Sequence, residues 1–195
     1  MRSWTRAGLL RGAAGAGAAV AGAAALGVRS KDGASQAASA DQDAEILNAF
    51  LLLERVQEAF YRDALATGRL RGELRTYATT VSAQERRHVA SLTKRLGGRV
   101  DRPRRTGFDR ALAAPERFPE AAIELEEATI AMYIGQAPNL TRDAMTFAGT
   151  LVSVEARQAA WIRDLADVSP APRAADPART SDDVVAELRR RGFLL

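Results

Sequence analysis

The segment YATTVSAQERRHVASLTKRL, residues 77–96, decides how the chain folds. Tyr77, Val81, Leu92 and Leu96 repeat at the three-and-four spacing that marks one face of an α-helix. The middle of that stripe is filled by Glu85 and His88, the latter the only histidine in the chain. A carboxylate and an imidazole therefore share the face that such a helix turns toward a core.

Working outward, residues 43–66 carry Leu47, Phe50, Leu51, Tyr61 and Leu65 at helical spacing, and Gly68 closes the stretch. The helix of residues 73–96 stops at Gly97 and Gly98. A third begins near Pro119, a good first-turn residue, carries Ile123, Ile130, Tyr133 and Ile134, and ends at Gly135. The fourth starts after Asn139 or Thr141, either of which can cap it, and runs through Ala144, Ala148, Leu151, Ile162 and Leu165 until Pro170 forbids extension. Short links join the first helix to the second and the third to the fourth, whereas residues 97–118 form a long, Arg- and Pro-rich connection. The expectation is an all-α four-helix bundle over residues 41–168, with a long crossover between helices 2 and 3. Residues 169–195 form a Pro/Ala linker and a short C-terminal helix that docks Phe193, Leu194 and Leu195.

The same interruption recurs on every stripe. Glu54 sits in the middle of the first, Glu126 lies between Ile123 and Ile130 with Glu127 alongside, and Glu155 and Gln158 lie between Leu151 and Ile162. Whether Glu126 or Glu127 faces the core is open at this level. Buried carboxylates are costly unless cations or protons neutralise them, so their recurrence at mid-helix on four stripes points to a bound metal. Two-metal carboxylate bundles take one Glu from each of two helices and a Glu-x-x-His pair from each of the other two. Glu54 and Glu126 suit the first role, Glu85 and His88 the second, and Glu155 with Gln158 forms an imperfect copy of it. Taken singly, such a Glu more often lies at a solvent-facing margin, and such a His more often is a hydrogen-bonded core residue. Tyr61 and Tyr133 read first as core packing and second as electron relays.

Composition narrows the chemistry. The chain has 195 residues, 47% of them hydrophobic, enough for one sizeable core and no second domain. Without cysteine it has no disulfide, thiolate metal site or cysteine nucleophile, and any metal is held by oxygen and imidazole. Five of the 28 basic residues and one of the 24 acidic ones fall within residues 1–40, so the remainder balances at 23 of each. Global charge therefore gives no case for nucleic acid. The crossover arginines Arg99, Arg102, Arg104, Arg105 and Arg110 read as a solvated loop, with phosphate or anionic lipid binding as a lesser alternative.

Residues 1–40 have the layout of an export signal: Arg2, Arg6 and Arg11, an uncharged Ala/Gly/Val run over residues 12–28, then Ala38-Ser39-Ala40 before Asp41. The stretch from Thr5 to Arg11 is similar to the twin-arginine export motif, with Ala7 where the second arginine belongs. An uncleaved membrane anchor and an untargeted tail are the alternatives.

With these residues assembled, the chain resembles the bacterial ferritin-like domain family that also includes desiccation-related proteins. The resemblance runs from Ile46 to about Trp161. It rests on Leu53-Glu54, Glu58-Ala59-Phe60-Tyr61, Glu85-Arg86-Arg87-His88, Leu125-Glu126-Glu127, Ala131-Met132-Tyr133-Ile134-Gly135 and Val154-Glu155-Ala156-Arg157-Gln158. The two-hairpin connectivity agrees with it. The resemblance implies metal ligands at Glu54, Glu85, His88, Glu126 and Glu155, and it expects histidine where Gln158 stands. Glutamine offers a neutral carbonyl oxygen and no basic nitrogen, so one half of a two-metal site is expected to be weakened. Gln158→His is then expected to restore it.

The functional expectation is an exported ferritin-like protein, periplasmic, in the cell envelope or secreted. It holds one or two iron or manganese ions at a degenerate di-iron-type site, for sequestration or for oxygen or peroxide chemistry. The alternative is a non-enzymatic envelope or stress-related protein that has lost metal binding. Metal ions are the expected partners, a homo-oligomer is left open, and membrane contact is expected only through an uncleaved N-terminal segment. Export is checked by mass spectrometry of the protein from its native type of cell. The mature terminus is expected at or near Asp41, and an intact Met1 on cytoplasmic protein refutes it.

Overall fold

The computed structural model describes residues 38–195, so the export signal expected over residues 1–40 lies almost wholly outside the described residues. Five α-helices follow in order: α1 (Ala40–Ala66), α2 (Gly72–Leu96), α3 (Phe118–Gln136), α4 (Arg142–Leu165) and α5 (Ser181–Arg191). Among the described residues there is no strand, only one isolated bridge between Thr106 and Leu194. No described helix is long and apolar enough to cross a membrane.

Local chemistry places the helix ends. Ser39 caps α1 by accepting from the Gln42 amide at 3.2 Å, and Asp41 and Asp43 face the positive end of the helix dipole. Processing directly before Asp41 would remove that cap. Thr141, and not Asn139, caps α4, and Asp43 accepts from both its amide (2.8 Å) and its hydroxyl (2.5 Å). The first turns of α1 and α4 are thereby tied together at one end of the bundle.

Helix α1 packs mainly on α2 and α3 mainly on α4, giving two hairpins joined by the crossover of residues 97–117. Phe50, Leu51, Tyr61, Tyr77, Val81, Leu92, Leu125, Met132 and Ile162 fill the space between them. On α3 the expected stripe is only partly right. Ile134 is 36% exposed and Ile123 only half-buried, whereas Ala121, Ala122, Leu125, Ala128 and Met132 are buried. The reason is that α5 covers the side of α3 away from the bundle, so α3 is buried almost all round and shows no single stripe. The approach is close: the Arg179 amide donates to the Ala131 carbonyl at 2.9 Å, and a Cβ on Gly135 would lie 2.0 Å from the Arg179 carbonyl oxygen. Only glycine fits there.

The crossover is more than a solvated loop. Asn48 on α1 donates to the Arg99 carbonyl and accepts from the Asp101 amide (2.7 and 2.8 Å), and Arg55 and Arg69 bind the Asp101 and Ala113 carbonyls (3.0 and 2.7 Å). Phe108 is buried against Phe60, with ring centroids 5.5 Å apart, and the C-terminal Phe193 completes this aromatic group. The side chains of Arg102, Arg104 and Arg105 nevertheless point to solvent. Changing Arg104 and Arg105 together to Gln is therefore expected to shift stability by about half a kcal/mol or less. Phe108→Ala is expected to cost about 3 to 5 kcal/mol in denaturant unfolding. Equal effects would refute this division of the crossover.

Candidate metal centre

Each bundle helix delivers its inward glutamate to the same level of the core. Glu54, Glu85, Glu126 and Glu155 are all fully buried, while His88 and Gln158 retain 6% and 3% exposure. Glu126 is thus the inward member of its pair. Glu127 turns outward to ion-pair with Arg163 and Arg173.

One set of ligand atoms from Glu54, Glu85, His88 and Glu155 lies within 4.8 Å of one another. His88 Nδ1 is at its centre, 2.9 Å from Glu155 Oε1, 3.1 Å from Glu54 Oε2 and 3.6 Å from Glu85 Oε2. A single imidazole N–H cannot point along three such directions. Only the contact with Glu54 has hydrogen-bond geometry; Glu85 Oε2 and Glu155 Oε1 are buried with no hydrogen-bond partner, as is Gln158 Oε1. The two orphaned carboxylate oxygens of Glu85 and Glu155, with Glu54 Oε2, surround the imidazole nitrogen as a donor set that suits a transition-metal dication.

Hydrogen bonds aim the first of these groups. Tyr133 donates to Glu54 Oε1 at 2.6 Å while its ring stacks on Phe50, and Gln158 Nε2 donates to Glu85 Oε1 at 2.9 Å and to Gln84 at 3.0 Å. Gln158 therefore presents its nitrogen to Glu85 and leaves its oxygen free. Each tie leaves the second carboxylate oxygen of Glu54 or Glu85 for the cluster, as outer hydrogen bonds do around metal sites.

Glu126 lies outside this set but within side-chain hydrogen-bonding reach of Glu155. Its Oε1 accepts from Tyr61 and, at 3.3 Å, from Tyr77, while its Oε2 accepts from Gln57 Nε2 at 2.9 Å. Gln57 also donates to Glu155 Oε2 at 3.2 Å, and its own carbonyl accepts from Thr129 at 2.8 Å. The sequence reading passed over Gln57, Thr129 and the polar end of Tyr77. A signal was available for two of them: Gln57 follows Glu54, and Thr129 follows Glu126, at the spacing by which His88 follows Glu85.

The carboxylates hold protons tightly. Burial, with the neighbouring charges of Glu155 and Glu54, pushes Glu85 well above the usual carboxylate range, and burial with Glu155 does the same to Glu126. Glu155 is raised by burial and by Glu54, against the lowering effect of His88. Burial alone would lower His88, but its contacts with Glu155, Glu54 and Glu85 outweigh that and push it up to about 12. Burial and the adjacent glutamates likewise raise Tyr61, Tyr77 and Tyr133. The protons belong to the cluster as a unit.

The cluster is also enclosed. A surface cavity of about 690 Å³ at the Asp43–Thr141 end is lined by Leu47, Ser91, Arg95 and Phe147 among others, and by none of the cluster residues.

Comparison with known proteins agrees with the fold. A family model described as a ferritin-like domain matches residues 42–167, from the first turn of α1 to just beyond α4. Among curated proteins, no relative matches.

The shifts fix a direction for pH. Glu85, Glu126 and Glu155 are raised from an ordinary 4.5, and His88 from 6.5 to about 12, so above pH about 4.5 the native state binds more protons than the unfolded chain. Stability of the metal-free protein is then expected to fall as pH rises from about 5 to 9, first through the carboxylates and then through His88. Glu85→Gln is expected to flatten the slope. Urea unfolding at constant ionic strength measures it, and stability that rises across this range would refute the assignment.

Proposed function

This chain belongs to the ferritin-like domain family, and on that premise we propose that it is a metal-binding protein whose bundle core holds iron or manganese. Glu54, Glu85, His88 and Glu155 would hold the ion, and the unpartnered Gln158 Oε1 is a further buried oxygen on a residue bonded to Glu85. The observation that carries this reading is the convergence of orphaned buried oxygens on His88. Unpartnered buried oxygens are unfavourable unless a cation completes them.

An iron or manganese ion bound there supplies one-electron chemistry toward oxygen or peroxide, or is simply sequestered. The chain's own contribution is to position and to exclude. Tyr133 and Gln158 fix the carboxylates of Glu54 and Glu85, and the packed helices keep bulk water and larger molecules away. Enclosure favours retention of the ion, with reactants limited to molecules of the size of oxygen or peroxide. Export is part of this proposal. It is supported by the basic start, uncharged run and Ala38-Ser39-Ala40 of the leader, which would deliver the protein to the periplasm, the envelope or the medium.

A second reading has its own support. An imidazolium at His88, beside the carboxylates of Glu54, Glu85 and Glu155, already offsets part of their charge. With protons shared among the glutamates, the cluster can remain balanced without a metal, as a structural envelope or stress-related bundle would require.

Metal analysis separates the two. Protein produced with iron or manganese present and then desalted is expected to retain metal. Added Mn²⁺ at a hundred times its dissociation constant is expected to stabilise the metal-free protein by about 2.7 kcal/mol. His88→Ala should lose both effects while keeping its helical circular dichroism. Wild-type protein that holds no iron, manganese or zinc and gains no stability from them would sink the metal reading.

A further inference from the structure

We propose that the side chain of Gln57 occupies the place where a second cation would bridge Glu126 and Glu155, and so restricts the centre to one metal ion per chain. This inference rests on the metal-binding reading above and concerns how many ions the core accepts.

The two halves of the core are unlike. Toward His88 the oxygens Glu85 Oε2, Glu155 Oε1 and Gln158 Oε1 have no partner, whereas toward α3 every carboxylate oxygen is engaged. Glu126 of α3 and the second oxygen of Glu155 of α4 are what remains to bind a second ion once Glu54, Glu85, His88 and Glu155 Oε1 are committed to the first. Between them stands one donor, Gln57 Nε2, at 2.9 Å from Glu126 Oε2 and 3.2 Å from Glu155 Oε2. An amide NH₂ carries two hydrogens and can serve two carboxylates at once, as a bridging cation does, but without a charge.

The amide is not free to turn. Gln57 Oε1 accepts from the Thr129 hydroxyl at 2.8 Å, so a flip would give up this bond and set a carbonyl oxygen against two carboxylate oxygens. Tyr61 and Tyr77 hold the other oxygen of Glu126, which would have to leave two hydroxyls to reach an ion. Gln57 itself is fully buried, so no water exchanges with it readily. Thr129 acts here as a positioning residue for Gln57.

The consequence for Gln158 differs from the sequence-based expectation. Its amide nitrogen is spent on Glu85 and Gln84, and replacing it by imidazole leaves the Gln57 amide bonded to both Glu126 and Glu155. Gln158→His alone is therefore insufficient to create a second site. Removal of the Gln57 amide is also needed.

The test is the stoichiometry of Mn²⁺ on the whole protein, by equilibrium dialysis with elemental analysis, together with the electron paramagnetic resonance of the bound ion. Wild type and Gln158→His are each expected to bind one ion per chain with an uncoupled spectrum. The double variant Gln57→Ala with Gln158→His is expected to bind two and to show exchange coupling between them. Should that protein fail to fold, Thr129→Val with Gln158→His keeps the Gln57 volume while freeing its amide, and is expected to exceed one ion per chain. Two ions on wild type or on Gln158→His alone would overturn the inference and leave the metal reading intact. A folded double variant that still binds one ion would also overturn it. No ion on wild type would sink the metal reading and this inference with it.

Discussion

Four glutamates buried at one level of a helical core impose the constraint on which the rest of this molecule depends. Carboxylates so placed repel one another and have lost their water, and a bundle that carries them folds only if protons, donors or a cation restore the balance. Every polar side chain around them meets part of that demand. Tyr133 serves Glu54, Gln158 serves Glu85, Gln57 and the Tyr61–Tyr77 pair serve Glu126, and His88 lies against Glu54 and Glu155. What remains unserved is confined to the neighbourhood of His88. That confinement makes a metal site a local property of one half of the core.

The scaffold keeps these groups in place from outside the core. Asp43 ties the start of α1 to the start of α4 by part-buried bonds, and the crossover is strapped to α1 by exposed bonds from Asn48 and Arg55, so the hairpins cannot slide past each other without breaking them. The C-terminal segment closes the remaining side. It packs α5 along α3, threads past Gly135 and ends in Phe193 and Leu194, which join the aromatic group of Phe60, Phe108 and Phe118. Helix α3, which carries Glu126, is consequently the most enclosed of the four. Its glutamate has both oxygens satisfied within the protein, as Glu54 does through Tyr133 and His88.

The cluster is closed off from the large groove at the Asp43–Thr141 end, since none of its residues lines that groove. The slight exposure of His88 and Gln158, on α2 and α4, marks the thinnest part of the wall. An ion entering there would meet His88 and the orphaned oxygens first. It would reach Glu126 only by displacing Gln57.

The helices, the two-hairpin topology and the inward direction of Glu54, Glu85, His88, Glu155 and Gln158 are legible in the amino-acid sequence, because helical periodicity assigns each residue to a face regardless of its neighbours. The sequence also contained, unread, the repeated pairing of a glutamate with a polar residue one turn later: Glu54 with Gln57, Glu85 with His88, Glu126 with Thr129, Glu155 with Gln158. Periodicity could not choose between Glu126 and Glu127, since both border the same stripe; that choice was made by α4 and the linker after it, which give Glu127 an outlet to Arg163 and Arg173. Nor does periodicity say which atoms meet across helices. Only the tertiary structure decided that Glu126 is held by Tyr61, Tyr77 and Gln57 while Glu85 and Glu155 keep free oxygens beside His88. A face is a property of one helix, whereas a hydrogen bond between side chains far apart in sequence depends on the depth, rotation and rotamers of two helices packed together.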